Sequence, residues 1–138
     1  MKKILCFFLC FMFLAASPQS VNAAVIGQSN EQVRAITDPI MDNIFDGLNN
    51  EDYDKYSRDF DGTLKETLSP ERFRAVRKEI KDWVGNYLYR EYLGFINRQA
   101  ITIIFWKAVF DKTQDEILIK LVVSERDGKY LVTGLWFQ

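Results

Sequence analysis

Three apolar segments near the C-terminus constrain the fold more than any other feature of this sequence. They occupy residues 101–110, 116–124 and 129–137, and each is rich in β-branched and aromatic residues, which are the residue types favoured in strands. A polar stretch, residues 111–115, separates the first two, and Asp127-Gly128 separates the last two. Asp-Gly is a strong signal for a two-residue hairpin turn. The segments therefore predict three consecutive strands of one antiparallel sheet.

The residues before these strands carry the period and the capping signals of helices. Ser29 and Gln32 match a capping box, and the apolar residues that follow recur at helical spacing as far as Gly47. Pro39 lies inside this pattern. We therefore expect one helix kinked at Pro39, with a fresh helix capped by Asp38 as the alternative.

Further helical stretches and a fourth strand follow. Asn50 is a candidate N-cap for a short acidic and aromatic helix, Ser69-Pro70 predicts the start of another helix, and Gly85 predicts its left-handed end. From residue 86 the apolar period changes to two, which indicates a strand that Gly94 weakens or bends. Helices followed by about four antiparallel strands predict an α+β fold, with the N-terminal helices packed on a curved sheet.

Both faces of the predicted sheet are apolar. We assign the core face to these residues: Ile101, Ile103, Phe105, Val109, Ile117, Ile119, Leu121, Val123, Leu131, Leu135 and Phe137. The candidate interface on the other face is Ile104, Trp106, Leu118, Val122 and Trp136. A sheet that is covered on one side only has a polar outer face, so a second apolar face indicates an interaction surface. We expect a homodimer packed sheet to sheet, with an envelope protein or an apolar small ligand as alternative partners.

The first 23 residues have the pattern of a cleaved signal peptide. Lys2 and Lys3 precede an uncharged apolar run, residues 4–16, and Val21-Asn22-Ala23 favours cleavage after Ala23. The run is shorter than the roughly 20 residues needed to span a bilayer. We expect residues 24–138 to form a single exported domain without a membrane span, located in the periplasm or secreted.

The composition excludes several kinds of active site. Histidine is absent, and both cysteines, Cys6 and Cys10, lie in the predicted leader. The remaining chain has no thiolate nucleophile, no histidine base and no Cys or His metal ligands. Without Lys2 and Lys3 it has 16 basic against 19 acidic residues, a net charge of −3, which argues against nucleic acid as a partner. A binding domain is therefore favoured over an enzyme, with no cofactor and no metal.

The segment from Leu48 to Asp61, with Leu64 and the junction at residues 85–89, resembles the nuclear transport factor 2-like (cystatin-like α+β) superfamily, in particular its small exported bacterial domains of unknown function. The resemblance covers nearly all of the chain after the leader. It implies a curved sheet wrapped around helices to form a cone. Some members of the superfamily are isomerases or dehydratases that work inside the cone with Tyr, Asp and often His.

Five aromatic residues are candidates for lining such a cone: Tyr53, Tyr56, Phe60, Trp83 and Tyr87. Plain packing of the second helix on the sheet is the alternative for them. The absence of histidine argues against a dehydratase, but a tyrosine donor and an aspartate base would suffice for an isomerase-like site. A cone-pocket isomerase and a structural accessory of an envelope complex therefore stay open beside the binding domain.

Overall fold

A computed structural model describes residues 22–138, and most of the predicted signal peptide lies outside the described residues. The helices are α1 (Asn30–Asn50), α2 (Tyr53–Tyr56), α3 (Gly62–Thr67) and α4 (Pro70–Trp83). The strands are β1 (Ala23–Ala24), β2 (Tyr87–Arg98), β3 (Ile101–Phe110), β4 (Ile117–Arg126) and β5 (Lys129–Phe137). The helices precede the four long strands, so the predicted α+β architecture is confirmed.

The four long strands form an antiparallel meander in the order β2, β3, β4, β5. The short strand β1 pairs with β4 at Glu125 and Arg126, beyond the end of β3. The predicted turn at Asp127-Gly128 is present, and both residues have a positive φ, as a type I′ hairpin requires. The pairing register shifts near Gly94 and next to Val122. Such bulges increase the local twist, and the sheet is curled into a half-barrel.

The starts of the helices follow the predicted capping signals in two cases out of three. The Ser29 side chain accepts a hydrogen bond from the Gln32 amide at the start of α1, and Ser69 caps α4 in the same way. Pro39 lies inside one continuous helix. The prediction for α2 was wrong, because α1 continues through Asn50 and Asp52 caps α2 instead.

The core lies between α1 and the concave, helix-facing side of the sheet. Residues at helical spacing on α1, among them Met41, Ile44 and Phe45, are almost fully buried. Trp106 and Leu121 are buried on the sheet side of the same cluster. Each such side chain stabilises the fold by about 1.5–3 kcal/mol before the entropy of the chain is counted.

An aromatic cluster attaches the short helices to the core. The Tyr56 ring lies 5.0 Å from the Phe60 ring and 4.7 Å from the Phe73 ring. Phe60 also forms a parallel bridge to Val132 of β5. Next to it, Asp61 caps α3 and pairs with Arg126 at 3.1 Å. The acidic segment between α2 and α3 is therefore part of the structural framework.

Arg77, one of several basic residues on α4, has a structural role. The Arg77 guanidinium donates to the Leu48 carbonyl at 2.7 Å and pairs with Glu51 at 3.3 Å. It satisfies a free carbonyl at the C-terminal end of α1, where a cation is favourable. Arg77 thus joins α4 to α1.

Gly85 and Asp111 join the end of α4 to the end of β3. Gly85 has a φ of +91°, as predicted for a left-handed helix end. The Asp111 carboxylate accepts hydrogen bonds from the Asn86 amide at 2.8 Å and from the Asn86 side chain at 2.9 Å. These bonds from Asn86, first its side chain and then its backbone, hold the pKa of Asp111 below its usual value.

We predict that Asp111 contributes to stability in a pH-dependent way. Because its pKa is lowered in the folded state, the contribution is present above the unfolded value, about 3.9, and is lost as the pH falls through the folded value. Asp111→Ala should therefore be less stable than the wild type at pH 7, with a gap that narrows as the pH falls below about 4. Urea unfolding between pH 3 and 7 measures this, with Asp115→Ala as the loop control. A gap that does not change with pH would contradict the prediction.

Within residues 22–138, no helix has both the length and the apolar character needed to cross a membrane.

Candidate functional site

The convex face of the sheet, which points away from the helices, carries exposed apolar residues. We call it the outer face. Its most exposed large apolar side chains are Tyr89, Leu93, Ile96 and Trp136, at 60, 52, 47 and 43%. Between them lie partly exposed residues of the central strands: Ile101, Ile103, Phe105, Val109 and Leu118. The outer face is therefore apolar across all four long strands.

The predicted assignment of β3 to the two faces was wrong. Trp106 pairs with Ile119 and Ile104 pairs with Leu121, so both lie on the helix-facing side, where they are almost fully buried. Ile104 and Trp106 are consequently removed from the candidate interface, and Phe105 of the outer face takes their place. The reason is that β3 is apolar in both phases, so its alternation carries no signal for the buried side.

The remaining predicted positions need one further correction. Leu118, Val122 and Trp136 are on the outer face as predicted, although Val122 is largely covered. Leu131 was assigned to the core but pairs with Ser124, and the register shift next to Val122 places Val132 in the core instead. A bulge of this kind reverses the phase of a strand midway, and an alternation pattern does not reveal it.

Two lysines on the outer face, Lys107 and Lys120, have partners on that face. The Lys107 amine lies 2.8 Å from Glu116 and 3.2 Å from Glu91. The hydrogen bonds that the Lys107 ammonium donates to Glu116 and then to Glu91 hold the pKa of Lys107 above its usual value. The Lys120 amine lies 4.2 Å above the Trp136 ring, a cation–π contact. Lys107 and Lys120 are thus each partnered on the face itself.

The Trp136 ring lies flat along the outer face because Gly134 leaves room for it. A Cβ atom at Gly134 would lie 2.3 Å from the indole. The free edge of this ring also borders a groove between α4 and β5, with a volume of about 550 Å³, where the exposed Trp83 forms the other side.

The five aromatic residues proposed to line a cone do not form one pocket. Tyr56 and Phe60 are buried in the core, and Tyr53 packs beside Phe73 at 5.7 Å. Trp83 is 54% exposed and borders the groove between α4 and β5. Tyr87 stacks on the Phe45 ring at 3.7 Å. The first three pack as the alternative interpretation expected, and the other two lie in separate places.

The core between α1 and the centre of the sheet is filled by side chains. A void lined by Tyr87 and Phe110 has a volume of only about 20 Å³, room for about one water molecule. Burial, and then the neighbouring Tyr53, raises the pKa of Tyr56 far above its usual value. Tyr56 is therefore a neutral core side chain at neutral pH.

Tyrosine and carboxylate groups are not paired as an isomerase-like site would require. The hydroxyl groups of Tyr53, Tyr87 and Tyr92 contact a carbonyl, a guanidinium and an amide. Among the described residues, no tyrosine hydroxyl forms a hydrogen bond to a carboxylate, and no cluster of three or more potential metal ligands occurs.

A second site, which is polar, lies between α1 and the start of β2, and the sequence did not predict it. We call it the Arg90 cleft. Its volume is about 340 Å³. It is lined by Arg34, Asp38, Asp42, Tyr87, Leu88, Tyr89, Arg90, Tyr92 and Trp106. Its polar residues on α1 and those on β2 are about 50 positions apart in the chain, so no local sequence motif predicts the cleft.

Comparison with known proteins gives a family but no function. No curated protein and no solved structure matches the chain. Residues 42–125, more than half of the chain, match the model of a family described as a protein of unknown function, DUF3887. The matched segment runs from the middle of α1 to the end of β4 and includes most of the outer face. The chain belongs to the DUF3887 family.

Proposed function

We propose that this protein is an exported interaction domain that forms a homodimer through the outer face of its sheet. The observation that carries the proposal is the exposure of Tyr89, Leu93, Ile96 and Trp136 on one continuous face. The helices fill the concave side, so the apolar character of the convex side is not needed for the fold. Apolar patches of this kind mark interaction surfaces.

The distribution of charge on the outer face supports a second copy as the partner. At one end, Glu91 and Glu116 surround Lys107, which leaves one excess negative charge. Arg98 lies at the other end of the outer face, opposite Ile101 of β3. A two-fold axis in the interface, running across the strands near Phe105, would place Arg98 of each copy over the acidic end of the other. The face is therefore complementary to itself, as a two-fold dimer requires.

Sheet packing geometry is compatible with this arrangement. Two sheets that pack face to face lie about 10 Å apart, with strands within about 30° of parallel or antiparallel. Side chains such as Phe105 and Ile96 are large enough to fill that spacing between two twisted sheets. Because Lys107 and Lys120 are already partnered, burying them leaves no unpaired cation in the interface.

Export and superfamily membership are also parts of the proposal. Lys2, Lys3 and the apolar run that follows support export. The curled sheet with its N-terminal helices is compatible with the cone of the nuclear transport factor 2-like superfamily. Because core side chains fill the concave side, the binding role belongs to the convex side of the sheet.

The test is to charge the outer face. The double variant Leu93→Lys with Ile96→Lys should weaken dimerisation by at least about 100-fold, because it buries unpartnered charges next to their own copies. The folded state should persist, since both side chains are exposed. Light scattering across a concentration series gives the mass, and circular dichroism verifies the fold.

Tyr130→Lys is the matched control, because Tyr130 is 41% exposed and borders Pro39 and Ile40 on the helix side. It should leave the dimer intact. A double variant that dimerises as tightly as the wild type would contradict the proposed interface.

A further inference from the structure

The strand β5 forms one edge of the sheet, and only part of this edge is covered. β5 pairs with β4 on one side. On its other side, the Val132 amide donates to the Asp59 carbonyl at 2.7 Å, and the Val132 carbonyl accepts from the Asp61 amide at 2.9 Å. Among residues 22–138, no further backbone hydrogen bond reaches this side of β5. The edge is therefore closed at Val132 and open over residues 133–137.

The pairing register identifies the backbone groups that point away from β4. Leu118 and Gln138 exchange both of their backbone hydrogen bonds, at 2.8 and 2.9 Å. Along an antiparallel pair, such residues alternate with residues whose N–H and C=O groups point to the opposite side. Trp136 therefore bonds to β4, whereas the N–H and C=O groups of Leu135 and Phe137 point outward. Two donors and two acceptors consequently lie in a row along the open edge.

The open edge also lacks the features that usually prevent another strand from pairing. Proteins protect exposed edges with charged residues, prolines and bulges. The opposite edge strand, β2, has two register shifts and carries Arg90 and Glu91. Residues 134–137 of β5 read Gly-Leu-Trp-Phe, with no charge and no proline, and their pairing with β4 is regular. This part of β5 is therefore suited to accept a further strand.

The groove between α4 and β5 provides the space for such a strand. It has a volume of about 550 Å³, and its β5 wall includes Leu135 and Phe137. Its α4 wall presents Val76, Ile80 and Trp83 at helical spacing. A strand added to β5 would lie about 4.8 Å from it, and every second side chain would point to the helix-facing side of the sheet. Those side chains would contact the apolar wall of α4.

The α4 wall also carries one charge of each sign, because Arg72 and Glu79 line the same groove. A strongly acidic or strongly basic segment would meet one like charge for each opposite charge, so neither gains a net attraction. Trp83, which is 54% exposed, offers a large apolar contact instead. The groove therefore favours an apolar segment with little net charge.

We propose that this groove binds an apolar peptide segment in an extended conformation, which adds a strand to the open edge of β5. An extended backbone presents donors and acceptors at the spacing of the edge groups of Leu135 and Phe137. A purely apolar ligand would cover these groups without satisfying them, at a cost in free energy. Backbone pairing supplies the affinity, and the contact with Trp83 supplies the preference for apolar side chains. The site lies at the edge of the sheet and does not depend on the dimer.

Amide hydrogen exchange measured by nuclear magnetic resonance tests the proposal. The probes are three capped heptapeptides in which threonine alternates with valine, leucine or phenylalanine, each added at up to millimolar concentration. With at least one probe, the amides of Leu135 and Phe137 should exchange at least about tenfold more slowly. The Trp136 amide, which already bonds to β4, should change little. No slowing at Leu135 and Phe137 with any probe would overturn the proposal.

The protein without peptide distinguishes a second copy of the chain from a foreign peptide. The amides of Leu135 and Phe137 should exchange rapidly at every protein concentration. Slow exchange that increases with protein concentration would show that the edges of two copies pair with each other, which would overturn the proposed occupant. The Leu93→Lys, Ile96→Lys double variant should give the same exchange result, because the outer face is not part of this site.

A matched pair of variants tests the location. Trp83→Ala should weaken peptide binding by about tenfold, because exposed aromatic residues commonly contribute much of the binding energy at an interface. Leu88→Ala changes a residue of β2 that is similarly exposed, at 55%, and should bind as the wild type does. Equal binding by both variants would overturn the groove as the site. A peptide with proline at its centre lacks a backbone donor, and tight binding of it would overturn strand addition.

Discussion

Replacing Gly47 with alanine is expected to destabilise the protein by about 3 kcal/mol, although alanine is the better helix former by about 1 kcal/mol. A Cβ atom at this position of α1 would lie 2.5 Å from the Tyr56 amide nitrogen and 2.7 Å from the Asp52 carbonyl oxygen. Both are backbone atoms of the α2 region, so no side chain can move aside. Overpacking of this kind costs about 1–3 kcal/mol, and sometimes more.

The matched control is Gly62→Ala. Gly62 opens α3, and a Cβ atom there would have no neighbour within 4 Å. This variant should be stabilised by about 0.5–1 kcal/mol. Urea unfolding of the two variants should therefore show changes of opposite sign. A stabilised Gly47→Ala variant would mean that α1 and α2 are not in direct backbone contact.

Trp106→Ala is expected to destabilise the protein by about 3–5 kcal/mol, the range for removing a large buried aromatic residue. Trp106 is the largest fully buried side chain and packs against the Tyr92 ring at 5.9 Å. A small domain has a total stability of about 5–15 kcal/mol, so much of it would be lost. Chemical denaturation followed by circular dichroism measures the change.

This prediction also tests the corrected assignment of β3. If Trp106 were on the outer face, its replacement would change the mass of the protein in solution and leave the stability nearly intact. Trp83→Ala serves as the control, since Trp83 is 54% exposed, and it should change the stability by about 0.5 kcal/mol or less. A stable Trp106→Ala variant would contradict the orientation of β3 in the core.

Local signals in the sequence predicted most of the local structure. The serine caps at Ser29 and Ser69 and the turn at Asp127-Gly128 depend on interactions within a few residues, so the sequence pattern carries them. The α+β order follows from the change of apolar period near residue 86. These features required no knowledge of long-range packing.

The features that sequence reasoning missed depend on contacts between distant residues. Both phases of β3 are apolar, so only pairing with β4 decides that Trp106 faces the helices. The Arg77 contact with the Leu48 carbonyl joins residues 29 positions apart. The Arg90 contact with the Asp38 carbonyl spans 52 positions. Neither arginine differs in its local sequence from a solvated surface residue.

The same contrast between local signals and long-range contacts applies to the candidate site. An apolar second face could be predicted from the composition of the strands, and Leu118 and Trp136 were correctly placed on it. The exposed β2 residues Leu93 and Ile96 were missed, because the irregular pattern around Gly94 conceals the phase of this strand. The bulge near Gly94 is evident only from the pairing of β2 with β3.

We expect a second copy of the chain to cover the outer face in solution. Sedimentation equilibrium of the wild-type protein at micromolar to millimolar concentration measures this. The mass should rise reversibly toward twice that of the chain as the concentration rises. A mass equal to that of one chain throughout this range would contradict it.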